Sequence, residues 1–222
     1  MVYLDNAATT FPKPQMVTKA ILNSIIRQGA NPGRSGHKMS IETAMQVYNC
    51  RDTISNFFGA HGPEDVIFTL NCTMAINMVI KGLLKPDDHV IISCLEHNAV
   101  VRPLNALKKF GITYTVAQVY PCNNDATLDS FRKAINDKTS LIICTHASNV
   151  WGIRLPIARI TALAHEYNIP VLVDAAQSAG HLPIDMKELK IDYLCAAGHK
   201  GLYGPMGTGI LITNKGKNLT TI

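Results

Sequence analysis

The sequence predicts an α/β protein built on a mostly parallel, seven-stranded sheet with helices on both faces. Two observations carry that expectation. Seven short runs, at residues 66–69, 89–93, 113–117, 140–145, 171–175, 192–196 and 209–213, are apolar nearly throughout. That is the pattern of strands covered on both faces rather than one. Between them lie longer stretches with helical character, at 73–84, 98–110, 127–136 and 156–167. Strand and helix in alternation make βαβ units, and such units give a parallel sheet layered by helices.

Ahead of the sheet, residues 14–27 and 40–58 read as two amphipathic helices whose apolar stripes are expected to face the core. They are joined by Gln28-Gly29-Ala30-Asn31-Pro32-Gly33-Arg34-Ser35-Gly36, a loop of turn-forming residues. The expectation is one domain over residues 1–222, with an N-terminal arm and helices at 1–60 and the sheet core at 61–222. The tail after Thr213 carries no helical pattern and nothing that would build a second domain.

Composition excludes several classes. A hydrophobic share of 47% with 17% charged residues belongs to an ordinary globular protein. The net charge of +5 is dispersed, with no run of Lys and Arg, so nucleic acid is not expected as a partner. No stretch approaches the roughly 18 consecutive apolar residues of a membrane span. Met1 to Asn6 lacks the basic and apolar regions of a secretory signal. The six cysteines form no CxxC pair, and Cys94, Cys144 and Cys195 fall in apolar, strand-like runs. Small buried thiols in a reducing cytoplasm account for them better than disulfides. His165-Glu166 begins an HExxH pattern, but Ile169 stands where the second histidine belongs, so no metal is expected.

In an open parallel sheet, ligands gather in the loops that follow the carboxyl ends of the strands. Those loops hold Leu70 to Thr73, Glu96-His97-Asn98, Ser148-Asn149, Asp174 to Gln177 and Gly198-His199-Lys200. This set suits a charged, aromatic, phosphorylated cofactor. Lys200 taken alone reads as a surface lysine after a strand, but its glycine and apolar neighbours and the partners below favour a partly desolvated nucleophile for a carbonyl. Asp174 closes an apolar strand, and a buried acid needs a partner, which a protonated ring nitrogen would supply. An N-cap aspartate explains Asp174 equally well when it is taken alone. Thr73, with Cys72 beside it, opens a helix whose N-terminus suits a phosphate, although an ordinary cap is the simpler reading of Thr73 by itself. His97 by itself reads equally as a core or surface histidine, but its loop at the same sheet edge also suits stacking its flat ring on the cofactor.

The ordered stretches Tyr3 to Thr10, Asn31 to Ser35, Leu95 to Asn98, Ser148 to Gly152, Val173 to Gln177 and Gly198 to Lys200 resemble the class V aminotransferase group of fold-type I pyridoxal-phosphate (PLP) enzymes. Within it the chain most resembles the cysteine desulfurases and selenocysteine lyases. The resemblance implies the large domain of a PLP-dependent transferase, with Lys200 attached to the cofactor and later moving protons at the substrate Cα. It implies Asp174 on the ring nitrogen, Gln177 on the phenolic oxygen and His97 stacked on the ring as acid or base. It further implies Thr73 and His199 at the phosphate and Asn149 near the substrate carboxylate. Two positions depart from the family pattern: Ala197 stands where a hydroxyl residue is common, and Met74 where a glutamate is frequent.

The chain also looks truncated, lacking the small C-terminal domain. In the family that part carries a carboxylate-binding arginine and a mobile sulfur-accepting cysteine, which none of the six cysteines here matches. The implied activity is cleavage of the C–S or C–Se bond of cysteine or selenocysteine to give alanine, in a cytoplasmic homodimer that hands sulfur to an acceptor protein. The alternatives are another class V activity, aminotransferase or lyase, or an inactive PLP-binding or dimerising fragment.

Overall fold

The computed structural model of the chain describes residues 2–34, 36–214 and 219–220. Ser35 and most of the tail lie outside the described residues, and with them the expectation that the tail forms no helix. The helices are α1 (Gln15–Arg27), α2 (Lys38–Phe57), α3 (Cys72–Leu83), α4 (Asn98–Leu107), α5 (Asn124–Ala134) and α6 (Ile157–Glu166). The strands are β1 (Val66–Thr69), β2 (His89–Ser93), β3 (Thr113–Ala117), β4 (Thr139–Thr145), β5 (Val171–Asp174), β6 (Tyr193–Ala197) and β7 (Gly209–Thr213). All seven expected strands are therefore present, with ends displaced by at most one residue.

They form one sheet in the order β1-β7-β6-β5-β4-β2-β3. β3, β2, β4, β5 and β6 pair in parallel, whereas β7 runs antiparallel to both β6 and β1. Only β7 is reversed among the described strands, so the other six direct their carboxyl ends to one edge. The central strands β2, β5 and β6 are buried at every position because both faces are covered, whereas the edge strand β3 exposes Thr113, Thr115 and Val116. Leu141 and Ile143 of β4 pack with Ile76, Val79 and Ile80 of α3 and with Val100 and Leu104 of α4. Ile142 and Cys144, one residue out of phase, pack on the other face with Phe131 of α5 and Ile160 and Leu163 of α6. Each fully buried side chain of this size contributes about 1.5–3 kcal/mol.

Local chemistry sets the helix ends and corrects several expected ones. α5 starts at Asn124 rather than Thr127 because the Asn123 side chain accepts a hydrogen bond from Ala126 N. α4 ends at Leu107 and tightens into a 3₁₀ turn over Lys108–Phe110, closed by Gly111 at φ 82°. Cys144 and Cys195 lie buried in β4 and β6 as expected, but Cys94 falls one residue past β2 and is exposed.

The expectation that both early helices turn apolar stripes to the core is overturned. α1 buries none of its residues, and α2 buries only Ser40 and Ser55. Met16, Leu22, Ile25 and Ile26 of α1 are exposed, as are Met39, Ile41, Met45 and Tyr48 of α2. The two sheet faces are largely covered by α3 to α6, so α1 has no core position and α2 reaches the core only at its C-terminal end, where Ile54 packs.

One close approach fixes the ligand edge of the sheet. Gly209 begins β7 opposite Thr69 and Ala197, and a Cβ there would lie 2.4 Å from the Asn71 carbonyl carbon. Backbone cannot yield as a side chain can, so Gly209→Ala pushes the β1–α3 turn outward. The expected loss is about 1–3 kcal/mol in urea unfolding; stability within about 0.5 kcal/mol of the parent would contradict the close approach.

Candidate active site

At the carboxyl edge of the sheet lies a cavity of about 410 Å³. Cys72, Thr73, His97, Asn149, Asp174, Gln177, His199 and Lys200 all line it, so every residue singled out in the sequence reaches one place. They arrive from the loops after β1, β2, β4, β5 and β6, which parallel pairing brings together.

Asp174 lies deepest, 4% exposed at the end of β5. Its Oδ1 accepts hydrogen bonds from Ala176 N at 2.9 Å and from the Cys72 thiol at 3.4 Å. Its Oδ2 has no hydrogen-bond partner among the described residues. Burial raises the Asp174 pKa, and the two hydrogen bonds, His97 and Lys200 offset this only in part. Burial, followed by the charge of Asp174, also pushes the Cys72 thiol well up, which keeps its proton available for that bond. A buried carboxyl with one oxygen unpaired is costly, so the geometry asks for a positively charged donor.

The start of α3 forms a second wall. Its N-cap is Asn71 rather than Thr73, the Asn71 side chain accepting from Met74 N at 2.8 Å. Thr73 is thus a first-turn residue, exposed to the cavity with the positive end of the helix behind it. His97 caps α4 through Nδ1, which accepts from Ala99 N at 3.1 Å, and Nε2 has no hydrogen-bond partner among the described residues. Gln177 donates from Nε2 to Ala7 O at 3.1 Å and so keeps one amide hydrogen for the cavity.

Two features carry no role in the sequence reading. The first is a strap formed by the N-terminal segment. The His199 carbonyl accepts from Thr10 N, the Thr9 hydroxyl and Lys13 Nζ, the last at 2.7 Å, and the Lys200 carbonyl accepts from the Thr10 hydroxyl at 2.6 Å. His199 Nδ1 also meets Thr9 Oγ1 at 3.1 Å. Burial, then Lys200 and Lys13, lowers the His199 pKa. The only sequence signal for the strap is the Tyr3 to Thr10 stretch within the resemblance, since contacts across some 190 residues leave no local pattern.

The second is Glu96. Its Oε1 accepts from the Ser93 hydroxyl and from Thr145 N at 2.7 Å, tying the loop that carries His97 to the end of β4. Its Oε2 is buried without a partner among the described residues, and burial raises its pKa to about 8 despite those bonds. A carboxyl so raised keeps its proton in the folded chain from its ordinary value of 4.5 up to about 8, where the unfolded chain has lost it. Stability from this group therefore falls as pH rises through that window. Glu96→Gln keeps the acceptor and removes the ionisation. Its thermal midpoint relative to the parent should rise between pH 5 and pH 9; a constant difference would contradict a buried neutral carboxyl.

Comparison with known proteins bears on the family and the fold. A family model described as aminotransferase class-V matches residues 2–220. A cysteine desulfurase of Synechococcus elongatus is 34% identical over 217 residues, covering 95% of this chain and 34% of the relative. The cysteine desulfurase IscS of Dictyoglomus turgidum is 36% identical over 224 residues, covering 98% of this chain and 55% of the relative. Among solved structures, an apo cysteine desulfurase from Thermococcus onnurineus NA1 superposes with a TM-score of 0.88 at 29% identity, over 96% of this chain and 54% of that one. SspA in complex with cysteine gives 0.90 at 30% identity, over 100% and 64%. The chain thus spans from about a third to just over half of the curated relatives' length. It belongs to the aminotransferase class-V family.

Proposed function

We propose that this chain is the cofactor-binding part of a PLP-dependent cysteine desulfurase, with PLP held in the cavity at the sheet edge. The observation that supports this most is the unpaired Oδ2 of the buried residue Asp174, in the cavity that Lys200 also lines. The residues fit the three functional ends of PLP. Asp174 suits the ring nitrogen, Lys200 the carbonyl, and the first turn of α3 with Thr73, Cys72 and His199 the phosphate. The Thr9 hydroxyl donates to the His199 carbonyl, so His199 Nδ1 is the donor in its bond to Thr9 Oγ1. Nε2 therefore donates to a phosphate only when the ring is protonated.

Bound there, PLP supplies an electron sink for a carbanion at the substrate Cα. The chain's own residues do the rest. A cationic ring nitrogen stabilises the Asp174 carboxylate, and the carboxylate in return holds that nitrogen protonated. Lys200 takes the Cα proton and returns it. His97 would face the ring and move a proton through Nε2, the remaining Gln177 amide hydrogen would serve the phenolic oxygen, and Asn149 would orient the substrate carboxylate. Cysteine as the substrate, with alanine as product and the sulfur passed to a thiol, follows the names of the relatives. Aminotransferase chemistry would use the same cavity, but those names favour desulfuration.

The exposed apolar stripes of α1 and α2 support assembly as a homodimer, and the six free cysteines favour a reducing cytoplasm. Among the described residues no helix is long and apolar enough to cross a membrane.

The test is covalent. The chain is mixed with PLP, reduced with borohydride, digested and mapped by mass spectrometry. A pyridoxyl adduct on Lys200, absent from Lys200→Ala, is expected. Adducts spread over surface lysines, or none at Lys200, would overturn the assignment. In a second arm, Asp174→Asn should retain the Lys200 adduct yet lose hydrogen–deuterium exchange at the Cα of added amino acids; near-parental exchange would contradict the role of Asp174.

A further inference from the structure

Side chains alternate along a strand, and the chain continuing from β4 serves two cavities. Thr145 and Ala147 line the cavity described above, whereas His146 lines a second one of about 320 Å³ that shares no lining residue with it. The second cavity lies between the segment 146–155, closed on itself by the Ala147–Arg154 bridge and the Leu155 N to His146 O bond, and the start of α6.

Its lining is cationic and polar. Arg154 and Arg159 both contribute, and Asn124 faces them from the start of α5. Arg159 is held at 2.6 Å by the exposed Asp125, while Arg154 forms no ion pair with any described acid. The ten-residue helix α6 is capped by Pro156 without a side-chain hydrogen bond; Ile157 N donates to Leu155 O and Arg159 N to Pro156 O, which leaves the Ala158 amide without an acceptor among the described residues. His146 is 2% exposed, and its ring makes no hydrogen bond among the described residues. A buried polar ring without a partner is costly unless something else fills the cavity it lines. Burial, then Arg154, lowers its pKa to about 4, so at neutral pH it is an uncharged group with one N–H to donate.

We propose that this second cavity binds a small oxyanion of the phosphate class, held by Arg154, Arg159, the His146 ring and the Ala158 amide at the start of α6. Two guanidinium groups against one carboxylate leave a positive balance that a dianion neutralises, and the helix N-terminus adds to it. The site is independent of the PLP cavity and does not rest on the desulfurase reading.

The experiment is a titration of the ¹⁵N-labelled chain with inorganic phosphate, followed residue by residue in amide spectra, with a parallel arm using glycerol phosphate. Saturable shifts at residues 157–160 are expected in at least one arm. If glycerol phosphate saturates them at lower concentration, the occupant is the phosphate group of a small metabolite; if inorganic phosphate does, it is the free ion. Arg154 is exposed and its side chain has no structural bond, so Arg154→Ala should fold as the parent and bind about ten-fold or more weakly. His146→Leu, checked for folding by its spectrum, should also weaken binding. Shifts that rise linearly without saturation, that are confined to residues 72–75 at the start of α3, or that are unchanged in Arg154→Ala would overturn the proposal.

Discussion

A single buried carboxyl organises the ligand edge of this sheet. Asp174 ends a strand whose other residues are apolar, and its Oδ1 is held by the amide of the following turn and by a thiol at the start of α3. The thiol bond joins the end of β5 to the helix that crosses over from β1, and the amide bond fixes the turn that follows β5. They also settle which oxygen remains for a ligand. A carboxyl buried in this way is held protonated or given a cation, and the cavity lined by Lys200 and by the positive end of α3 is where a cation fits.

The other polar groups of the edge act as ties between loops that the sheet alone would leave loosely related. Glu96 binds the end of β2 to the end of β4, and the N-terminal strap binds residues 9–13 to the turn that carries Lys200. Each tie uses a backbone amide or carbonyl on one side, which fixes main-chain position rather than one rotamer. A site that must hold a reactive amine, an acid and an anion-binding helix end in register gains from such ties, because small displacements cost much of the benefit of orientation. The alternation at β4 extends the economy to the opposite face, where His146 belongs to a different cavity.

Much of this was legible in the sequence, and the reasons differ by element. The strands were readable because a doubly covered strand is apolar at every position and short, and little else has that pattern. The site residues were readable because parallel pairing sends the ends of β1, β2, β4, β5 and β6 to one edge, so their order in the chain is enough to gather them. The early helices were not: an amphipathic stripe says that a face favours cover, not that the sheet provides it, and Ile25 and Ile26 stay exposed. The cap of α3 was misplaced onto Thr73 because Asn71 and Thr73 are both good caps and only the geometry decides between them. Glu96 stood in plain view beside His97, but its role depends on Thr145 N, 49 residues away, which no local pattern encodes.

The measurement that bears most directly on this account is the titration of the Asp174 carboxyl itself. With ¹³C-labelled aspartate, and Asp174→Asn to assign the resonance, its pKa can be followed in the free chain and after loading with PLP. The account predicts a value above the ordinary aspartate range in the free chain, set by burial, and a clear fall once a cationic ring nitrogen faces Oδ2. An ordinary value in the free chain, or one that PLP leaves unmoved, would contradict the claim that this acid is buried in wait for a positive partner.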